Sequence, residues 1–138
     1  MADPQKTQEL ADILQRMIAF YRGMGPSCDN TSTYEEVSTI ELEDRLKTTP
    51  GAKVLDVRTA DEYGEGHIPG ALFMPFTEIP QKYDALPPRE TPLFVSCAQG
   101  VRSRVACNLL AHLGYSKLFN VTEGMNAWNG PVEQGSGQ

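Results

Sequence analysis

The chain reads as an α/β domain, a five-stranded parallel sheet flanked by helices, with an extra amphipathic helix in front. Three observations predict this. Five short apolar runs, each four or five residues long, recur along the chain and read as buried strands. Helical patterns separate them, two opened by capping boxes, Ser38-Thr39-Ile40-Glu41 and Thr59-Ala60-Asp61-Glu62. Alternation of strand and helix is the signature of a parallel sheet with helices on its faces.

In order, residues 7–21 place Leu10, Ile13, Leu14, Met17, Ile18 and Tyr21 on one helical stripe. Such a stripe usually covers a core; its alternative use is a dimer or partner contact, so a homodimer through this helix is one expectation. Gly23-Met24-Gly25-Pro26 stops the helix, and residues 27–33 read as a polar linker holding Cys28. Residues 34–37 form a strand. A helix capped by Ser38 runs to Lys47 and is expected to bury Ile40, Leu42 and Leu46. Residues 53–57 are a strand, a short helix opens at Thr59, and 71–74 are another strand. A helix is expected over 77–86, with Pro80 in its first turn. The 92–95 strand leads through a small-residue loop to a helix over 101–113, with Val105, Leu109, Leu110 and Leu113 facing the core and Gly114 at its end. Cys107 lies inside that helix and is expected to pack. Residues 117–121 form the last strand, a turn near Met125 follows with Trp128 in the core, and the domain runs from 34 to 131. Residues 1–33 precede it as helix and linker, and 132–138 are expected as a disordered tail.

The 138 residues suffice for one core, and 40% hydrophobic with 22% charged content is ordinary for a globular domain. A net charge of −6 argues against general binding to nucleic acid or to an anionic membrane. The three cysteines, Cys28, Cys97 and Cys107, form no C-x-x-C pair and no zinc pattern with the two histidines, so no metal and no cofactor are expected. A low, odd cysteine count fits a reducing compartment, the first residues lack the apolar segment of a signal peptide, and no run would span a membrane, which predicts a cytoplasmic protein.

The chemistry concentrates in Cys97-Ala98-Gln99-Gly100-Val101-Arg102-Ser103. Cys97 ends a strand, and its loop feeds a helix N-terminus, where unpaired N–H groups converge. Such a nest favours an anion: the thiolate, a group carried on its sulfur, or a bound substrate. The helix dipole and Arg102 act in the same direction. Gly100 permits the tight turn that aims the amides inward. In a parallel sheet, residues after the strands meet at one edge. Asp56 and Arg58, Met74 and Phe76, Cys97, and Thr122 and Glu123 should therefore gather together. Arg58 is expected to pair with Glu62 and form a loop wall. Arg104 reads as a solvated surface charge. His67 lies among turn residues, which argues for a loop hydrogen bond rather than a general base.

The pattern C-x-x-G-x-R-S resembles the active-site loop of the rhodanese family of sulfurtransferases. Four residues separate Cys97 from Arg102, one fewer than in the similar loop of protein tyrosine phosphatases, and a smaller ring suits one sulfur atom better than a phosphate. Leu55-Asp56-Val57-Arg58 with Glu62-Tyr63 and Gly66-His67-Ile68-Pro69-Gly70-Ala71 is similar to the family's N-terminal signature. Gly114-Tyr115 with Glu123-Gly124-Met125-Asn126-Ala127-Trp128 is similar to its C-terminal one. The resemblance covers about 34–130. It implies a three-layer rhodanese-like domain and a sulfurtransferase in which Cys97 is the nucleophile. Cys97 would take a sulfane sulfur from thiosulfate or a small persulfide and pass it to cyanide, a thiol or a protein acceptor. Ala98, Gln99, Gly100, Val101, Arg102, Ser103 and Arg58 would bind substrate, with Arg102 an anion clamp and Ser103 either capping the helix or donating to the sulfur. Asp56, Glu62 and His67 would be structural. Glu123, where the family often has glycine, and the lack of a basic residue in 98–101 point away from thiosulfate as the natural donor. Other readings on this scaffold are a non-catalytic partner-binding module and a phosphatase or arsenate reductase.

Overall fold

The structure, a computed structural model, describes residues 3–135. Asp3 caps the first helix, α1 (Pro4–Tyr21), its carboxylate accepting the Gln5 N–H at 3.0 Å. Pro4 at the first helical position has no N–H to leave unpaired. The helix thus begins three residues before the expected start at Thr7. Leu10, Leu14 and Met17 are buried, and α1 packs on α4 (Ile79–Lys82) and α5 (Val101–His112).

Five strands follow the expected order: β1 (Glu35–Val37), β2 (Lys53–Asp56), β3 (Leu72–Phe73), β4 (Leu93–Ser96) and β5 (Leu118–Val121). All pairings are parallel and the spatial order is β1-β5-β4-β2-β3. Side chains alternate across the sheet. Leu93 and Val95 of β4 face the core under α1, α4 and α5, while Phe94 faces a second core with Val37, Leu42, Val54 and Phe119 under α2 (Thr39–Thr48). Phe94 and Phe119 stack with ring centroids 4.6 Å apart, and the Arg45 guanidinium lies over the Phe119 ring at 4.8 Å.

Both capping boxes form, Ser38 with Glu41 at α2 and Thr59 with Glu62 at α3 (Ala60–Glu65). Gly114 ends α5 at φ +106, and Tyr115 N–H closes back on the Leu110 carbonyl at 3.1 Å. Cys107 is fully buried.

Four features differ from the sequence reading. Ile40 is 81% exposed rather than buried. It lies about 200° around the helix from Leu42, so both cannot face the sheet. The 77–86 helix is instead a 3₁₀ turn (Phe76–Glu78), the single turn α4 and a second 3₁₀ turn (Tyr83–Ala85). A helix entering at Thr77 would need an N–H from residue 80, and Pro80 has none. The presumed tail is bonded as far as it is described: His67 and Glu133 exchange backbone hydrogen bonds at 2.9 and 2.8 Å, and Gly135 N–H reaches Gly64 O at 3.0 Å. Residues 136–138 lie outside the described residues. Trp128, expected in the core, is only partly buried against it and donates to Pro131 O at 3.0 Å.

Candidate active site

Cys97 follows β4 directly and is 1% exposed. The chain leaves it through Ala98 and Gln99 and reverses at Gly100, the left-handed N-cap of α5 at φ +89. That turn aims two amides at one atom. The Gly100 N–H meets Cys97 Sγ at 3.1 Å and the Ser103 N–H at 3.4 Å. Side-chain capping at Gly100 is impossible, so the sulfur takes up the orphan donors of the helix end. A cavity of about 240 Å³, lined by Cys97, Ala98, Gln99, Val101 and Arg102, opens from the sulfur. The loop therefore gathers Ala98, Gln99, Val101 and Arg102 around Cys97, but not Arg58.

The Ser103 hydroxyl lies 3.4 Å from Cys97 Sγ and accepts from the thiol, while it donates to Asn120 Oδ1. It neither caps the helix nor, with the thiol protonated, donates to sulfur, because its one proton goes to Asn120. The Asn120 amide is oriented by its own donors, which reach Glu36 Oε2 at 3.0 Å and Gly100 O at 3.3 Å. Asn120 escaped the sequence reading. Its one signal is an asparagine at an inward position of an apolar strand, Leu118–Val121, where a buried amide needs partners.

A second support comes from the turn after β5. Met125 N–H donates to Cys97 O at 2.8 Å and Asn126 N–H to Ala98 O at 3.1 Å. This contact requires Gly124, at φ +61: a Cβ there would collide with Cys97 O and lie 2.7 Å from the Ala98 carbonyl. Likewise a Cβ on Gly100 would run into the Thr122 carbonyl. Glu123 does not face the sulfur. Its carboxylate accepts from Thr39 N–H at 3.0 Å and Thr122 Oγ1 at 3.1 Å, stabilising the α2 N-terminus.

The charged residues are paired differently from expectation. Glu62 binds Arg102 rather than Arg58, through two bonds of 2.8 and 2.9 Å. Arg102, with the Thr59 capping bonds, holds the Glu62 carboxyl down to about 2, and Glu62 in turn raises the Arg102 guanidinium. Arg102 still borders the cavity, but its charge is matched by a carboxylate. Arg58 is buried and committed to Asp56, with Nη2 to Oδ2 at 2.7 Å, and to Gly66 O at 2.8 Å. Asp56, 1% exposed at the end of β2, needs a cation and finds it two residues away. Arg58 borders a neighbouring cavity of about 290 Å³ with Glu62, Glu65 and Asn126, not the one at the sulfur. Arg104 is half-buried and pairs with Glu36 at 2.8 Å, so it is more fixed than a solvated charge. His67 is buried, stacks on Tyr63 at 3.6 Å and bonds through Nδ1 to Tyr63 O at 2.8 Å, a loop-holding role as its turn context implies.

A parallel sheet in this order, with a cysteine loop cradling its own sulfur at the sheet's carboxyl edge, defines a rhodanese-type domain. The chain belongs to the family of the rhodanese-like domain, whose model matches residues 38–131. Its relatives include a sulfurtransferase of Allochromatium vinosum, 33% identical over 93 residues, which span 67% of this chain and 86% of that protein. They also include the thiosulfate sulfurtransferase GlpE of Coxiella burnetii, 27% identical over 95 residues, 69% of this chain and 87% of that one. Among solved structures, a rhodanese-like domain protein from Staphylococcus aureus superposes with a TM-score of 0.67 at 31% identity, covering 74% of this chain and 99% of that one. These relatives support the general sulfurtransferase class. Helix α1 lies outside the family match. No helix among the described residues is long and apolar enough to cross a membrane.

Proposed function

We propose that the protein carries a sulfane sulfur on Cys97 and transfers it from a small donor to a thiophilic acceptor. The observation that carries this reading is the convergence of the Gly100 and Ser103 N–H groups on Cys97 Sγ. In the first half-reaction the Cys97 thiolate attacks the outer sulfur of thiosulfate or of an organic persulfide. The Cys97 S–S bond forms as the donor's S–S bond breaks, and sulfite or a thiolate leaves with the electron pair. In the second, cyanide or a thiolate attacks the outer sulfur and leaves as thiocyanate or a persulfide, restoring the Cys97 thiolate.

The loop amides stabilise the anion throughout without reorganising. When the thiol proton is gone, the Ser103 hydroxyl can turn its proton from Asn120 to the sulfur, replacing the bond the thiol had donated. No separate general base is needed, which agrees with His67 being spent on Tyr63 and Glu133. The three free cysteines, Cys28, Cys97 and Cys107, accord with work in a reducing compartment such as the cytoplasm.

Turnover tests this directly. Thiosulfate and cyanide should give sulfite and thiocyanate in equal amounts, and Cys97→Ser should give neither. Turnover that survives in Cys97→Ser would sink the reading.

A further inference from the structure

Two cavities share lining residues with the Cys97 cavity, and the two are chemically unlike. On one side lies the space bordered by Arg58, Glu62, Glu65 and Asn126, a mostly polar wall. On the other lies a groove of about 280 Å³ that shares Val101 and Arg102 with the Cys97 cavity. Its walls are mostly carbon. Ile18 and Tyr21 come from the last turns of α1, Phe76 from the turn after β3, and Val105 from α5. Val101 stands at the junction of cavity and groove, 44% exposed, an apolar side chain presented beside the reactive sulfur. Arg22 also lines this groove, and its side chain makes no hydrogen bond or ion pair among the described residues.

The wall supplied by α1 is held firmly. Leu10, Leu14 and Met17 anchor the helix in the core, and the Tyr21 hydroxyl donates to Asp29 Oδ2 at 2.6 Å. This wall lies outside residues 38–131, the part of the chain that the family's model matches.

We infer that the groove between α1 and the Cys97 loop is a subsite for the organic body of the sulfur donor, taking an apolar group that ends in an anion. This rests on the sulfurtransferase reading. A donor R–SO₂–S⁻ or R–S–S⁻ places its outer sulfur at Cys97 Sγ, and its organic body extends toward one of the two neighbouring cavities. On the polar side Arg58 and Glu62 are already paired, with Asp56 and Arg102, which leaves the Glu65 carboxylate facing any anionic leaving group. The groove buries carbon against Ile18, Phe76 and Val101, which is favourable in proportion to the area covered. Arg22 supplies the charge for a distal carboxylate. Arg102 is unsuited to that task because Glu62 already matches it.

Three donors test this with cyanide as the common acceptor: thiosulfate, benzenethiosulfonate and 4-carboxybenzenethiosulfonate. In each, attack by Cys97 forms the persulfide and releases sulfite or the arenesulfinate with the electron pair. Thr77, exposed on the groove rim, is changed to Trp to fill the space, and Arg22 to Ala to remove the charge. Thr77→Trp should lower the ratio of kcat/KM for benzenethiosulfonate over thiosulfate by roughly tenfold, the value of burying one ring face. Arg22→Ala should leave that ratio alone and lower the ratio of the carboxylated to the plain arene by roughly threefold, as for a partly exposed ion pair. An unchanged first ratio overturns the groove as a subsite, and an unchanged second ratio overturns the anionic end. Intact mass after thiosulfate reports separately on Cys97 loading in every variant. Loading of the wild type from none of these three donors, nor from an organic persulfide, overturns the sulfurtransferase reading and this inference with it.

Discussion

Arg102 and Glu62, forty residues apart in the chain, form a two-bond ion pair beside Cys97. The pair fixes the first turn of α5 against α3 and sets the electrostatics of the site. An arginine next to the nucleophile looks like an anion clamp in the sequence, yet here its charge is matched before any substrate arrives.

Glu62→Gln should therefore raise kcat/KM for thiosulfate by about three- to tenfold, the effect of ~1 kcal/mol from one unmatched charge in a hydrated site. Glutamine keeps the capping box at Thr59, so α3 should remain folded. The gain should shrink with added salt. Steady-state kinetics at two ionic strengths checks both points, and no gain at low salt contradicts the pairing argument.

The same pair makes a statement about pH. The Glu62 carboxyl is held at about 2, below its ordinary 4.5, so the folded state favours its ionised form. Its stabilising contribution is complete above the unfolded value and is lost as pH falls through about 2. Sulfur loading should show no inflection from Glu62 between pH 4 and 9, and ¹³C NMR of the Glu62 carboxyl should give a midpoint far below those of exposed glutamates.

Ser103→Ala should slow sulfur loading roughly tenfold and cost about 1–3 kcal/mol of stability, because it leaves the buried Asn120 Oδ1 without its donor. Urea denaturation and single-turnover loading separate the two effects. Loading at the wild-type rate would mean that the hydroxyl serves Asn120 alone.

How much of this was legible follows from distance along the chain. Cys97, Gly100, Arg102 and Ser103 lie within one turn and one helix end, so the loop's geometry is written locally and the sequence reading found it. Both capping boxes are local too, and both form. Asn120 and Gly124 reach Cys97 and its loop only because β5 lies beside β4, and no local pattern announces that contact. The same holds for Glu62: Arg58 is nearer in sequence, but buried Asp56 claims it first. At the N-terminus a usable sign was present. Asp3-Pro4 is a helix start, an N-cap followed by a proline at the first position, and periodicity alone set the start too late.

Gly124→Ala should abolish loading and destabilise by more than about 2 kcal/mol, since the strain of φ +61 adds to a collision with backbone that cannot yield. Gly51→Ala is the control. Its φ is +75 but a Cβ meets nothing within 4 Å, so only conformational strain of about 1 kcal/mol applies and loading should persist. Thermal melts and loading assays on both variants check the contrast.

The cysteines should react unequally. Cys107 is fully buried in α5, and burial pushes its thiol well above the ordinary range. Iodoacetamide should leave Cys107 unmodified in the native protein and label it in urea, as read by peptide mapping. Native labelling of Cys107 would contradict the packing of α5.

The most direct measurement is the intact mass of the protein after thiosulfate and then after cyanide, with Cys97→Ser in parallel. A gain of one sulfur atom, its removal by cyanide and no gain in the variant are the predicted results. A sulfur carried equally well by Cys97→Ser, or none carried by the wild type from any of thiosulfate, an arenethiosulfonate and an organic persulfide, contradicts Cys97 as the sulfur carrier.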